Sequence, residues 1–388
     1  MLSFFKPAQR FLKGAVLGLS ALTLAACLPD GGGPTISTSN PVPVALLVPQ
    51  GSSNSGDAVL AQSLENAAKL AIADLEGVQI DLRVYPTAGD PTTAHASAVQ
   101  AVNEGAKIII GPVFGEAANA AAKAVATRNI NVLSFSNNTS IAGGNLFVLG
   151  PTFQNTADRL VNYSVRGGKP NILVVHAQNE SGRLGKIAID AAIASQQAQA
   201  AGSVSYQFSQ EGVIAAVSQI KLTADANNAD AIFLTSNTSG ALPLMSQLLP
   251  EAGLSPATTQ FMGLTRWDIP SQTLELPGVQ NGWFALPDPN LTQQFQTRYA
   301  QAYGGLPHPI GGLAYDGIAA IGALVKAGKS NALTTGALTQ GAGFQGVNGI
   351  FRLRADGTNE RGLAVATIRD KKVVIIDPAP QRFGGAGL

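Results

Sequence analysis

Lys107 to Ser140 reads KIIIGPVFGEAANAAAKAVATRNINVLSFSNNTS. The apolar run Ile108–Ile110 stops at Gly111-Pro112. A helix-period segment follows, with Ala118, Ala121, Ala122, Val125 and Ala126 on one face, and a second apolar run, Val132 to Phe135, breaks into the polar loop Ser136 to Ser140. Strand, turn, helix, strand and loop in that order make a parallel βα unit with a right-handed crossover. The loops Gly111 to Glu116 and Ser134 to Ser140 leave the carboxyl ends of their strands, where open α/β sheets bind ligands. This unit is expected to form one wall of a ligand cleft.

Outward from it, the same alternation continues. Val42 to Val48 is a nearly all-apolar run, as in a strand covered on both faces. The loop from Pro49 to Gly56 carries Gln50 and Ser52 and leads into a helix with Leu60, Leu64, Ala67, Ala71 and Leu75 on one face, capped by Ser55 or Asp57. Gln79 to Tyr85 alternates apolar and polar residues and reads as a strand nearer an edge. Asp90-Pro91 opens the next helix, with proline in its first turn. Four βα-type repeats in succession indicate a doubly wound parallel sheet. After Gly150-Pro151 a second series begins, including a helix from Leu184 to Ala201 and strands at 172–176, 203–208, 231–234 and 260–264. Pro287-Asp288-Pro289 is a stiff break, two further helices follow, and the chain ends in β structure around the Asp356-Gly357 turn.

The 388 residues suffice for two ordinary domains. Charged residues make up only 13% of the chain, and no polybasic stripe occurs, which argues against nucleic-acid binding. Residues 1–26 hold Lys6, Arg10 and Lys13 and no acid; without them 22 basic residues face 24 acidic ones. That segment reads as a secretory signal, with a basic start and an apolar stretch too short to be a settled span. It ends in Leu24-Ala25-Ala26-Cys27, which resembles the bacterial lipobox, and Cys27 is the only cysteine. The resemblance implies lipidation of Cys27 and attachment to the periplasmic face of the cell envelope without a spanning helix. Leu28 follows the cysteine, which by the same resemblance favours the outer membrane over the inner. Residues 27–41 would be a flexible tether, and 379–388, rich in Pro and Gly, a disordered tail.

Enzyme readings find no support in the sequence. His95, His176 and His308 lie far apart without metal-ligand spacing, and no G-x-S-x-G elbow occurs. Neither a cofactor nor a metal is expected.

Two successive α/β halves, the Gly-Pro loop and the helix with Ala314-Tyr315-Asp316-Gly317 together resemble the type 1 periplasmic-binding fold, in its Leu/Ile/Val-binding branch. Within it, the chain looks closest to penicillin-binding-protein activator lipoproteins. The matching stretches are 111–116, 283–289, 346–353 (GVNGIFRL), 360–365 (ERGLAV) and Asp377-Pro378-Ala379-Pro380. The resemblance implies two doubly wound, Rossmann-like α/β lobes joined by three crossings around a central cleft. Residues 42–149 and 286–345 would form lobe 1, and 150–285 with 346–378 lobe 2.

In the amino-acid-binding relatives, two Ser/Thr loops hold the ligand carboxylate, which hydroxyls and N–H groups at a helix start suit physically. Here Ser136, Asn137, Asn138 and Thr139 match the second loop in kind, whereas Phe114 and Gly115 stand where the relatives keep serines. Glu116 adds negative charge there, favouring a cation or a capping role. From the second lobe, Asn179 and Arg183 follow one strand and Ser236 and Asn237 the next. Arg183 could hold a carboxylate bidentately or simply balance surface charge. Trp267 could stack on a ligand or sit in the core. Two functions are implied: capture of a small polar ligand such as an amino acid, delivered to an ABC permease, or regulation of a peptidoglycan synthase through protein contacts.

Overall fold

The structure, a computed structural model, describes residues 33–384. The expected signal peptide and Cys27 lie outside the described residues, as do 385–388.

Strand β1 (Val42–Val48) sends Val44, Leu46 and Val48 to one core and Ala45 and Leu47 to another, so both faces are covered. The chain continues through α1 (Ser55–Ala73), β2 (Ile80–Pro86), α2 (Pro91–Asn103), β3 (Ile108–Ile110), α3 (Gly115–Val125), β4 (Val132–Ser134) and β5 (Leu146–Val148). The five strands form a parallel sheet in the order β2-β1-β3-β4-β5. The half-buried β2 lies at its edge, as its alternation indicates. Asp90 caps α2 through the Thr93 N–H at 2.8 Å, with Pro91 next, as read from the sequence. The cap of α1 is instead Asn54, which accepts from the Gly56 N–H at 3.3 Å; neither Ser55 nor Asp57 takes that role.

The second lobe runs through α4 (Phe153–Arg166), β6 (Asn171–Ala177), α5 (Glu180–Ser195), β7 (Gln199–Tyr206), α6 (Gln210–Ala226), β8 (Ala231–Leu234), α7 (Leu242–Glu251), β9 (Gln260–Gly263) and β10 (Trp283–Leu286). The helix expected over Leu184 to Ala201 starts and stops earlier. Gln197 adopts φ +56°, the chain reverses, and Gln199 and Ala200 pair as strand beside β6. Helix propensity in that Ala- and Gln-rich stretch loses to strand pairing.

Helices α8 (Pro289–Tyr303) and α9 (Gly312–Lys326) then return to the first sheet and cover the face that α1 occupies. After α10 (Thr335–Leu338) comes a small antiparallel sheet of β11 (Phe344–Gly346), β12 (Gly349–Leu353) and β13 (Asn359–Arg361). Phe344, Phe351 and Leu353 belong to the first core, so 346–361 packs with lobe 1 rather than wholly with lobe 2 as the sequence division had it. Strands β14 (Ala364–Arg369) and β15 (Lys372–Asp377) complete a seven-stranded sheet, β15-β14-β10-β9-β8-β6-β7, with β14 antiparallel to β10 and β15 antiparallel to β14. The expected flexible tether over 27–41 is corrected where it is described, since Ile36 is buried in the first core and its N–H donates to the Ser330 carbonyl at 2.9 Å, and the expected disordered tail is corrected for 379–384. Ala379 is buried, the Gln381 side chain donates to Asp288 Oδ2 at 3.2 Å, and the Arg352 guanidinium lies 4.6 Å from the Phe383 ring centre.

Three crossings connect the lobes, near 149–152, 286–288 and 361–363. Arg361, nearly fully buried, donates to the Leu149 carbonyl (Nε at 3.1 Å) and pairs with Asp316 of α9 at 3.2 Å. Asp316 also accepts from the Val347 N–H at 2.8 Å, and its complete burial pushes its carboxyl up while Arg361 pulls it back. Asn359 donates to the carbonyls of Val148 and Gly150, both at 2.8 Å. The third crossing is thereby locked onto the first through groups that water cannot reach.

Candidate functional site

In the first sheet the chain steps from β1 outward to β2 and then back across to β3. In the second it steps from β6 to β7 and back to β8. Each reversal is a topological switch point, and the loops after the flanking strands frame a crevice at the carboxyl edge. Those loops carry Gln50, Ser52, Phe114 and Gly115 in lobe 1, and Asn179, Arg183, Ser236 and Asn237 in lobe 2.

The lobe 1 side is built on backbone. Gly111 has φ +84°, and a Cβ there would stand 2.2 Å from the Leu47 carbonyl oxygen, so only glycine lets β3 turn away this close to β1. Ser134 Oγ donates to the Pro112 carbonyl and accepts from the Ser136 N–H, each at 3.0 Å, which ties the loop after β4 to the loop after β3. Ser136 is buried, and its Oγ accepts from the Asn138 N–H at 3.1 Å. The Cβ position of Gly115 is 3.3 Å from Asn138 Nδ2 and 3.6 Å from Ser136 Oγ. Thus Gly115, Ser136 and Asn138 do come together at the start of α3, a helix that no side chain caps. Asn137 and Thr139 are exposed beside them. Asn138 Oδ1 also accepts from the Ser140 N–H at 2.9 Å, which fixes the loop. Among the first-loop residues, Ser52 Oγ accepts from the Asn54 N–H at 3.2 Å, and Gln50 points to solvent while its carbonyl accepts from the Ala88 N–H at 3.0 Å.

The lobe 2 residues are placed differently from one another. Asn179 caps α5, accepting from the Gly182 N–H at 2.8 Å. The exposed Arg183 guanidinium is engaged by Glu180 one turn back, at 2.6 and 2.8 Å, and that hydrogen bonding holds the Glu180 carboxyl below its ordinary value. Arg183 therefore sits where balancing a neighbouring charge already occupies it. Asn237 is exposed and its carbonyl starts the turn into α7. Ser236 is buried, and its Oγ has no partner among the described residues.

Trp267 requires a correction. Its indole is 0% exposed and packs over Gly263 and Gly282, where any Cβ would lie 2.3–2.4 Å from the ring. It belongs to the core with Phe261 and Phe284 and cannot stack on a ligand between the lobes. Two glycines leave room for the ring, and burying an indole is strongly favourable.

Gly89, in the turn after β2, went unmarked in the sequence, and its Cβ position lies 3.0 Å from Phe114 Cε2 and 3.7 Å from Asp57 Oδ2 at the same strand edge. A turn glycine is common enough locally that only proximity in space singles it out. A cavity of about 560 Å³ also lies in lobe 2 between α6 and α7, lined by Phe208, Val213, Gly240, Leu244 and Leu276, away from the loops of lobe 1. Among the described residues, no helix is long and apolar enough to cross a membrane.

The similarities of the chain agree with this geometry. A comparison with curated proteins finds no match. Solved structures do match in fold. A Rhodospirillum rubrum protein described as belonging to a branched-chain amino acid ABC transporter superposes with a TM-score of 0.72 at 16% identity, over 87% of this chain and 100% of the other. An ABC transporter substrate-binding protein from Desulfitobacterium hafniense, in complex with Leu, gives 0.61 at 17% identity, with 87% and 100% covered. A solute-binding protein of an ABC transporter from Rhodopseudomonas palustris BisB5, in complex with 3,4-dihydroxybenzoic acid, gives 0.57 at 15% identity, covering 88% and 98%. At such identities the likeness is one of fold. The family model for periplasmic binding proteins matches residues 41–372, and on that match, over two lobes wound as the sequence indicated, the chain belongs to the periplasmic binding protein family.

Proposed function

We propose that the protein captures a small polar solute, amino-acid-like in chemistry, between its two lobes and presents it for ABC-type uptake. The observation that carries this reading is the meeting of Gly115, Ser136 and Asn138 at the start of the uncapped α3. Helix N–H groups beside a hydroxyl and an amide form a cradle for a carboxylate. Closure of lobe 2 would bring the loops after β6 and β8 over the solute and exclude water. The solved relatives that hold leucine or a benzoate support a carboxylate-bearing ligand. We further infer that Cys27 is acylated and holds the chain on the periplasmic face of the cell envelope.

The test is a thermal-shift screen of the full chain against amino acids and small carboxylates, followed by calorimetry. A ligand at 100 times its Kd adds about 2.7 kcal/mol of stability, or roughly 5–10 °C for lobes of this size. Asn137→Ala and Thr139→Ala should each lower affinity without moving the unliganded melting temperature. One observation favours a second reading, regulation of a peptidoglycan synthase by protein contact. Leu184, Ile187, Phe208 and Ile214 are exposed on the opening turns of α5 and α6 or just before them. Co-elution with a purified synthase, coupled with no ligand response in the screen, would favour that role over uptake.

A further inference from the structure

A polar cavity of about 330 Å³ opens beside the third crossing. Asp158 and Arg159 of α4 line it, with Ala191 and Ser195 of α5 and with Arg354 and Glu360 of the β12–β13 hairpin. None of these residues belongs to the loops that frame the crevice. Arg159 is only 5% exposed, and two of its guanidinium nitrogens are taken. Nε donates to the Leu363 carbonyl at 2.6 Å, while Nη2 pairs with Asp377 at 2.9 Å and donates to the Pro378 carbonyl at 3.2 Å. Nη1 is buried and has no hydrogen-bond partner among the described residues. A guanidinium carries five N–H donors, and leaving those of one nitrogen unmet away from water is costly. Charge is unmet as well. Arg159 shares the Asp377 carboxylate with Arg166, which reaches the same oxygen at 2.6 Å. Across the cavity Glu360 is shared in the same way by Arg352 and Arg354, each at 2.7 Å. Each trio holds two cations against one anion, and Asp158 offsets only one of the two surplus charges.

We propose that this cavity is a second ligand site, one for a small oxyanion: an oxygen of a phosphate or carboxylate accepts from Arg159 Nη1, and Arg354 faces the anion from the opposite wall. A buried water would meet the hydrogen-bonding deficit but not the charge deficit, and the charge is what selects an anion. Arg354 is half exposed and reaches Glu360 through Nη2, so its other donors are open to a ligand in the forked geometry that suits oxyanions. The cavity also joins the lobes. Helices α4 and α5 belong to lobe 2, whereas the turn after Arg354 is held on lobe 1, where the Val148 N–H donates to the Gly357 carbonyl at 2.8 Å. An oxyanion lodged there ties α4 to that turn beside the crossing. Glu360 is already matched by two arginines, so Asp158 is the acid that opposes the ligand. Burial pushes its carboxyl up while it accepts from Gln154 Nε2 at 2.7 Å.

The test is calorimetry on the full chain with sodium phosphate and sodium acetate as probes, against sodium chloride at matched ionic strength. At least one oxyanion should bind saturably where chloride does not, and the tighter of the two identifies the class. Ala191→Glu, which sets a carboxylate at an exposed position on the α5 wall, should weaken that probe at least tenfold. Arg354→Gln should weaken it several-fold, and Asp158→Asn, which keeps an acceptor for Gln154, should tighten it several-fold. None of the three removes a fully buried group, so their unliganded melting temperatures should stay near that of the wild type. Asn137→Ala, in the crevice, should leave the affinity for the probe unchanged. The proposal is overturned if neither oxyanion saturates, if Ala191→Glu and Arg354→Gln bind like the wild type, or if Asn137→Ala abolishes binding, because the anion then sits in the crevice. Each of these failures leaves solute capture standing, since that reading is decided by its own ligand screen.

Discussion

Replacing Arg361 by methionine tests the lock between the crossings. Arg361 and Asp316 have side chains 4% and 0% exposed, and they pair at 3.2 Å. Methionine fills most of the volume but leaves the Asp316 carboxylate with only the Val347 N–H and the Asn348 amide, the latter at 3.4 Å. Removing one partner of a buried pair costs about 3–5 kcal/mol, because the other charge stays behind. The Leu149 carbonyl loses the Nε and Nη2 donors as well, and an orphaned buried acceptor adds about 1–3 kcal/mol. Against a total stability of about 5–15 kcal/mol, this single change consumes a third or more. Asp316→Asn keeps an acceptor for Val347 and strands the arginine instead, so it should cost a similar amount. In the double variant neither charge is left alone, and the two losses should overlap by about 2–3 kcal/mol. Urea titrations of all four proteins, followed by far-UV circular dichroism and tryptophan fluorescence, measure this directly. Coincident transitions with an unchanged m-value would license the comparison. Should each single variant lose under about 1 kcal/mol and the two effects simply add, the crossings are not held together by this pair.

Three further outcomes are expected. Gly111→Ala should destabilise the chain by at least about 1–3 kcal/mol from its φ of +84° alone, with more from the approach to the Leu47 carbonyl, and a melting temperature equal to the wild type would refute the close packing of β1 and β3. Trp267→Phe should cost well under the about 3–5 kcal/mol of truncating a buried indole, since its Nε1 has no partner among the described residues, and should leave ligand affinity unchanged. A tenfold affinity loss at unaltered stability would put the indole back in the site. Cys27→Ala should move the protein from the membrane to the soluble fraction on cell fractionation, and retention on the membrane would exclude anchoring through that thiol.

The local part of this protein is legible in its residues. The apolar runs at Val42, Ile108 and Val132, the Asp90-Pro91 start and the Ala face of α3 each specify an element by its own period, because strand and helix patterns repeat within a few residues. Repetition of the βα unit then leads to two wound lobes, and the polar loops after β4, β6 and β8 follow as crevice candidates. Other features depend on which distant segments meet. Trp267 follows a strand end just as a ligand-stacking residue would, and only Gly263 and Gly282, brought beneath it by β9 and β10, decide that it is core. Arg183 looks available until helix geometry sets Glu180 one turn away. The Arg361–Asp316 pair spans 45 positions, and Gly89 comes up against Phe114 from a different strand end. Sequence period fixes where a side chain sits on its own element, but burial and pairing belong to the packing between elements, and it is there that Arg361 acquires its buried partner and Trp267 loses its access to solvent.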